Sequence, residues 1–297
     1  MVNSMEIEKC KMINNLLKDI IILYHAECPD GFGAAWVAHK KLGDEAEYIG
    51  VHHNSSVPEG LVDKEVYLID FSYPEDTTKD LIAKNKRVTA IDHHATREGA
   101  VKLTTDYLYS NDHSGSVLAW MYFYPDKPVP KLLKYIEDRD LWRFSLGNTS
   151  ALCLFIDTFE YDFSVWDKLA KNMEDGQYIA SCIEKGEIIL KHENRLINRM
   201  VEEGARLVEF EGYQPYCVNA PHFSASDIGT ILIAKNPPIA IIWSEDKERV
   251  NVSLRSDGSI DVAKIAQKFG GGGHKAAAGF NFISKSQFPW KEVKSSK

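Results

Sequence analysis

Three short apolar runs near the start of the chain each end on a side chain that can hold a metal ion, and nothing else in the sequence constrains the fold as much. They are Ile20-Ile21-Ile22-Leu23-Tyr24-His25, Val66-Tyr67-Leu68-Ile69-Asp70 and Val88-Thr89-Ala90-Ile91-Asp92-His93-His94. Runs of this length, rich in β-branched residues, predict buried strands over 20–25, 65–70 and 87–92, with a further strand over 46–51. Between and after them, residues 33–42, 77–85 and 114–124 have helical spacing, the last opened by a Ser-Gly turn. Strand followed by helix, repeated from about residue 19 to 138, is the pattern of β-α-β units and a parallel sheet. In such sheets ligands bind outside the carboxyl ends of the strands, so His25, Asp70 and the 92–94 triplet are expected to converge on one crevice. A single aspartate after a strand is ordinarily a turn former or a helix cap. Three such endings in one sheet ask for another explanation.

A proline-free stretch over 163–204, rich in Glu, Lys, Ile and Leu, reads as helix with few chemistry-bearing patterns. Beyond Gly204 the pattern changes to short strands at 206–210, 215–219, 239–243 and 250–255, followed by a helix at 261–269 and a glycine run. The expected organisation is an α/β chain. It has an N-terminal parallel-sheet domain over 1–162, a helical connector over 163–204 and a smaller C-terminal α/β domain over 205–297.

Composition narrows the partners. With 297 residues and 44% hydrophobic content the chain can build two cores. No apolar run approaches the ~20 residues of a membrane span, and residues 1–18 lack an apolar export signal. A cytoplasmic protein with no membrane partner is the expectation. The cysteines, Cys10, Cys28, Cys153, Cys182 and Cys217, are odd in number and form neither a paired framework nor a C-x-x-C pattern. A net charge of -8 argues against gripping long nucleic acid, since that requires many Lys and Arg side chains on phosphates. A small anionic substrate held by metals and a few basic groups remains compatible with it.

The remaining patterns lie close to the strand ends or near the C-terminus. The first strand runs into His25-Ala26-Glu27-Cys28-Pro29-Asp30-Gly31-Phe32-Gly33, a tight loop whose glycines let a helix begin close against the sheet. Tyr135-Ile136-Glu137-Asp138-Arg139-Asp140 puts acids after an apolar helical stretch. Asp92 suits the orientation of a histidine, because a metal-bound imidazole commonly donates its other N–H to a carboxylate. The run Gly270-Gly271-Gly272-Gly273-His274 exceeds the single glycine of a helix cap, and Arg255 at a strand end can fork onto a phosphate. Phe32, Tyr73, Trp142 and Phe223 are aromatic candidates for stacking on a base, or else core residues.

In their order, His25 to Asp30-Gly31, Asp70, Asp92-His93-His94 and Asp138 resemble the four phosphoesterase motifs of the DHH superfamily. The segment from Gly270 to Gly279 is similar to the glycine-histidine signature of its associated C-terminal domain. The resemblance covers nearly the whole chain from Ile20 to Phe280, and its nearest branch is the nanoRNase or oligoribonuclease type. It implies two divalent ions. One would be held by Asp30, Asp70, His93 and Asp138, with Asp140 as the alternative to Asp138. The other would be held by His25, Cys28 and Asp70 as the bridge. His94 would sit beside the scissile phosphate, and Arg255, Gly271, Gly272, Gly273 and His274 would meet the substrate. This chain departs from the pattern at Cys28, where the family commonly has aspartate. A thiolate there would shift preference from manganese or magnesium toward zinc or iron, and the alternative is a small buried thiol with water completing the shell.

The activity implied is hydrolysis of short oligoribonucleotides or dinucleotides to nucleoside monophosphates by two-metal, in-line water attack, with manganese the first ion to test. Within the same chemistry stand a cyclic-dinucleotide phosphodiesterase and a 3',5'-bisphosphonucleotide phosphatase. Outside it stands a nucleotide-binding module that has lost catalysis through Cys28. Oligomeric state is open.

Overall fold

The computed structural model describes residues 17–52, 55–246, 248–283 and 288–293. Cys10 and almost all of the N-terminal segment lie outside the described residues. The chain divides into two compact units, Met1–Leu190 and Lys191–Lys297.

The first unit is built on five parallel strands, β1 (Ile20–His25), β2 (Ala46–Val51), β3 (Glu65–Ile69), β4 (Arg87–Asp92) and β5 (Asp106–Tyr109), in the order β2-β1-β3-β4-β5. The expected strands are present, β3 one residue shorter because Asp70 turns into the left-handed region at φ 58. Four-residue β5 is too short and polar to read from its sequence. Alternation along the strands feeds two cores. Ile22, Ile69 and Ile91 pack on one face with Trp36, Leu118, Leu133 and Trp166. Ile21, Leu23, Leu68 and Val88 pack on the other with Phe71, Leu81 and Val101. Both faces are covered, as a parallel sheet requires.

Chain direction reverses between β1 and β3. The connection from β1 leads outward to β2, and the chain then returns to β3 on the other side of β1. This is the switch point at which two loops diverge and leave a crevice. His25 ends β1 and Asp70 follows β3, so the strand order alone brings them together.

Two helices occupy most of 163–204. Phe163–Asn172 buries Trp166 and Leu169 in the first unit's core. Gly176–Gly204 gives Ile179 and Cys182 to that core, and gives Ile197 and Val201 to a core of the second unit.

In the second unit β6 (Arg206–Glu209), β7 (Tyr216–Asn219), β8 (Ile239–Glu245), β9 (Arg249–Ser256), β10 (Gly272–Gly273), β11 (Ala277–Ile283) and β12 (Lys291–Glu292) form a mixed sheet. Its order is β10-β11-β9-β8-β7-β6-β12. Along β8, Ile239 and Ile241 face one core and Ala240 and Ile242 the other, the latter closed by the helix Ala225–Lys235. Among the described residues no helix is long and apolar enough to cross a membrane.

Candidate metal centre

The carboxyl ends of β1, β3 and β4 carry the cluster, and Asp70 is its middle. Its side chain is 2% exposed, and its two oxygens point at different partners. Oδ2 lies 3.5 Å from His25 Nδ1, and Oδ1 lies 3.3 Å from His93 Nε2. Around them stand three overlapping groups whose donor atoms all lie within 4.8 Å of one another: His25, Cys28 and Asp70; Asp70, His93 and His94; and Asp30, His93 and Asp140.

Asp30 reaches the cluster from the first turn of the helix Pro29–Leu42, where an acid suits the positive end of the helix. Its Oδ1 accepts from Ser114 Oγ at 2.6 Å, Ser116 Oγ at 2.5 Å and the Ser116 N–H at 3.1 Å. Its Oδ2 is buried with no hydrogen-bond partner. These serines flank Gly115, the first residue of the helix Gly115–Phe123. A Cβ at Gly115 would collide with Asp70 Oδ1, so glycine is what lets this helix meet the carboxylate. The Ser-Gly turn was readable as a helix start. Its bond to an aspartate 86 residues away was not.

Asp92 organises the triplet. Its Oδ1 accepts from the backbone N–H of His93 at 2.7 Å and of His94 at 3.2 Å, and lies 2.7 Å from His94 Nδ1. The ring of His94 is therefore held by Nδ1, as expected for an orienting carboxylate. His93 is steadied from behind, where Asn111 Nδ2 donates to its carbonyl at 2.7 Å.

The choice between Asp138 and Asp140 is decided by helix geometry. Two residues apart on Lys131–Asp140, their side chains point about 200° apart, so only one can face the cluster. Asp140 Oδ2 lies 3.7 Å from His93 Nε2. Asp138 faces the following loop instead, accepting from the Ser145 N–H at 2.8 Å, Ser145 Oγ at 2.6 Å, the Leu146 N–H at 3.1 Å and Thr149 Oγ1 at 2.5 Å. Asp138, the expected ligand, clamps the following loop, and Asp140 is the acid that stands beside His93.

The electrostatics are those of crowded acids. Burial and then the Asp70 charge raise Asp30 well above the usual carboxylate range, and burial with Asp70 pushes Asp140 up to about 6. Burial opposes the charge on Asp70 too, but hydrogen bonds from His25 and His93 outweigh it and hold Asp70 low. Burial would depress His93, yet Asp70, Asp140 and Asp30 together carry it up to about 10. Burial raises the Cys28 thiol, helped by Asp70, Asp30 and Asp140. The raised groups mark negative charge in excess of its compensation, which is the condition a bound cation removes.

The expected substrate-binding residues lie in the second unit. Arg255 on β9 pairs with Ala277, whose carbonyl accepts from the His274 N–H at 2.7 Å, so Arg255 and His274 belong to one end of that sheet. The Arg255 guanidinium donates to Ser226 Oγ at 3.1 Å and to the Leu254 carbonyl at 3.0 Å. The glycine run is divided by use. Gly270, at φ 77, and Gly271 close the helix Val262–Lys268 with N–H bonds to the carbonyls of Gln267 and Ala266, a Schellman cap. Gly271 and Gly273 also lie against the β11 backbone, where a Cβ would run into the carbonyl oxygens of Gly279 and Ala277, while Gly272 faces open space. Of the aromatic candidates, Phe32 and Tyr73 are core residues, whereas Trp142 is 48% and Phe223 76% exposed.

Residues 225–289 match the model of the DHHA1 domain. A curated protein of Acanthamoeba polyphaga mimivirus, uncharacterized protein R106, is 29% identical over 300 residues, covering 92% of this chain and 70% of that one. Among solved structures, the DHH domain of a member of a family of ribosomal proteins superposes with a TM-score of 0.58 at 14% identity, covering 96% of this chain and 86% of the other. The exonuclease RecJ bound to manganese superposes with a TM-score of 0.48 at 12% identity, covering 92% and 89%. Residues 225–289 thus match a DHHA1 domain, and they follow a parallel-sheet unit that carries Asp92-His93-His94 at its fourth strand in a chain that shares the fold of the solved DHH domain.

Proposed function

We propose that the chain hydrolyses short oligoribonucleotides or dinucleotides to nucleoside monophosphates at a centre of two divalent ions, manganese being the first to test. The observation that carries this reading is Asp70, which offers one oxygen to the His25 side and the other to the His93 side at 3.5 Å and 3.3 Å. The donor set fits two ions. Asp30 Oδ2 is a buried oxygen without a hydrogen bond, and the acids around it exceed the compensation that the protein supplies. Asp30, Asp70, His93 and Asp140 would hold one ion, and His25, Cys28 and Asp70 the other. An oxygen-rich set with histidine suits manganese or magnesium. Such a pair supplies an acidified water and positive charge on the attacked phosphate during an in-line displacement.

The chain's own residues do the rest. Asp92 fixes the His94 ring through Nδ1, so that Nε2 is the atom with which His94 would meet a phosphate oxygen. Burial would lower His94, but its bond to Asp92 and that charge outweigh burial and raise it, which favours the form that can donate a proton. Arg255 and His274, from the DHHA1 unit, would bind the substrate's anionic groups, Arg255 pre-oriented by Ser226. Exposed Trp142 and Phe223 offer faces for bases. The net charge of -8 favours a short substrate over long nucleic acid.

The test is manganese-dependent hydrolysis of a 5'-phosphorylated RNA dinucleotide beside a cyclic dinucleotide, a 3',5'-bisphosphorylated nucleoside and pyrophosphate, with Asp70→Ala as control. Fastest release of monophosphates from the dinucleotide, lost in the variant, supports the reading. Tight nucleotide binding with no turnover under manganese, magnesium, zinc or iron would replace it with a binding module.

A further inference from the structure

The four cysteines among the described residues occupy two kinds of surroundings. Cys182 and Cys217 lie within apolar cores, and Cys153 is buried with its thiol 3.3 Å from the Tyr135 carbonyl. Cys28 belongs to no apolar cluster. Its neighbours are His25 and Asp70, with donor atoms within 4.8 Å, and the charges of Asp30 and Asp140 also act on it. A thiol used only as a small hydrophobe gains nothing from three carboxylates, whereas a metal thiolate belongs among such groups.

We infer that Cys28 is a metal ligand and that His25, Cys28 and Asp70 form a site for a thiophilic divalent ion, zinc or ferrous iron. The Asp30, Asp70, His93 and Asp140 site takes a harder ion, so the centre is built for two different metals. The inference rests on the two-metal reading above and goes beyond it by assigning ion class to each half.

Geometry supports it. With zinc–nitrogen and zinc–oxygen bonds of about 2.0–2.2 Å, the tetrahedral edge between a nitrogen and an oxygen donor is about 3.4 Å. His25 Nδ1 and Asp70 Oδ2 already stand 3.5 Å apart. The corresponding edge to a sulfur donor is about 3.6 Å with a bond near 2.3 Å, so Cys28, within 4.8 Å of both partners, closes onto them by about 1.2 Å at most. Its backbone is fixed, since the Cys28 carbonyl accepts the Phe32 N–H at 2.9 Å as the N-cap of the helix Pro29–Leu42. Binding forms the metal–sulfur bond and releases the thiol proton to solvent. Thiolate sulfur selects zinc and iron over manganese and magnesium, while the other half offers carboxylates and imidazole only.

Cobalt(II) titration of the metal-stripped full-length protein, under a non-thiol reductant and followed by absorption, tests this without reference to turnover. Two equivalents are expected, one with a near-ultraviolet thiolate-to-cobalt charge-transfer band that zinc abolishes and manganese does not. Cys28→Ser should lose the band and keep the other equivalent. Cys28→Asp should restore two equivalents without the band and weaken zinc relative to manganese by more than about tenfold. Two bound cobalt ions with no charge-transfer band in the wild-type protein, or a band that persists in Cys28→Ser and Cys28→Asp, overturns the role of Cys28 and leaves the two-metal reading intact. No cobalt binding at all overturns both.

Discussion

The neighbouring acids Asp138 and Asp140 give the sharpest test of how the centre is assembled, because the structure assigns them opposite work. Asp138→Asn removes the acceptor side of one oxygen in a carboxylate that takes four donors, from Ser145 N–H and Oγ, Leu146 N–H and Thr149 Oγ1. An asparagine retains one carbonyl oxygen. If it faces Ser145, the Thr149 hydroxyl can turn to accept from the new amide, but the Leu146 N–H is left without an acceptor. An orphaned donor held out of water costs about 1–3 kcal/mol, and the lost charge assistance adds about 1 kcal/mol, giving about 3 kcal/mol. Titration gives a similar figure. Burial opposes the charge, yet the bonds from Ser145, Thr149 and Leu146 hold Asp138 at about 2 against an ordinary 3.8, which is worth about 2 kcal/mol. For a unit of this size the Tm should fall by roughly 6–12 °C. The sign is fixed by the depressed pKa. The carboxylate's contribution is complete above its ordinary pKa and disappears as pH falls through about 2, so the deficit of the variant is full at pH 7 and shrinks between about pH 4 and 2.

Asp140→Asn should behave in the opposite sense. Its partner is His93 at 3.7 Å, and burial beside Asp70 pushes its carboxyl up to about 6, so removing the charge relieves repulsion in the metal-free protein. Thermal unfolding without metal should be unchanged or later, while manganese affinity measured by calorimetry falls by more than about tenfold. Asp138→Asn should show the early unfolding and near-normal manganese affinity. If instead Asp138→Asn loses manganese at an unchanged Tm, the orientation of the helix Lys131–Asp140 argued above is wrong.

Gly115→Ala should weaken manganese binding by about 10–100-fold with little loss of helix content, because the new methyl displaces the Asp70 carboxylate it would strike; circular dichroism with metal titration distinguishes this from unfolding. Asp92→Asn should lower kcat by at least about tenfold at saturating manganese with KM little changed, since His94 loses the bond that fixes its ring; an unaltered kcat would remove Asp92 from the mechanism. Arg255→Ala and His274→Ala should raise KM for a dinucleotide and leave manganese affinity untouched. Loss of metal in either would show that these residues serve the centre and not the substrate.

The fold of the first unit was legible because its strands are continuous apolar runs and their ends are chemically marked. Ile20–His25, Ala46–Val51 and Arg87–Asp92 have the limits their sequences predict. Periodicity could not reach the neighbours of those ends. The bonds from Ser114 and Ser116 to Asp30 join residues 84 and 86 apart, and no local pattern marks them. Asp138 is the natural match in order of sequence, but a helix turns successive alternate residues to opposite sides, and only the docking of Lys131–Asp140 decides which acid faces the cluster. The glycine run shows a different limit. Its length suggests an anion loop, and it also answers local needs that the sequence does not display: Gly270 and Gly271 cap a helix, and Gly271 and Gly273 pass against a strand with no room for a side chain. Trp142 and Phe32 looked alike as stacking candidates, and burial separates them.

The centre also ties the stability of the first unit to its ligand. In the unfolded chain Asp30, Asp70 and Asp140 are apart and hydrated, and folding brings them together, with Asp70 in the left-handed region at φ 58. A non-glycine residue there costs of order 1 kcal/mol, and the raised Asp30 and Asp140 record a further electrostatic cost. Serines at a helix N-terminus offset part of it for Asp30, and two histidines offset part for Asp70. Neither supply reaches Asp30 Oδ2. A cation that binds the assembled cluster and not the unfolded chain would stabilise the fold by about 4 kcal/mol at a thousandfold excess over its Kd. The same arrangement that would let the centre act on a phosphate would therefore make the stability of the β1–β5 unit rise with bound metal. The DHHA1 unit's sheet is packed by apolar cores on both faces.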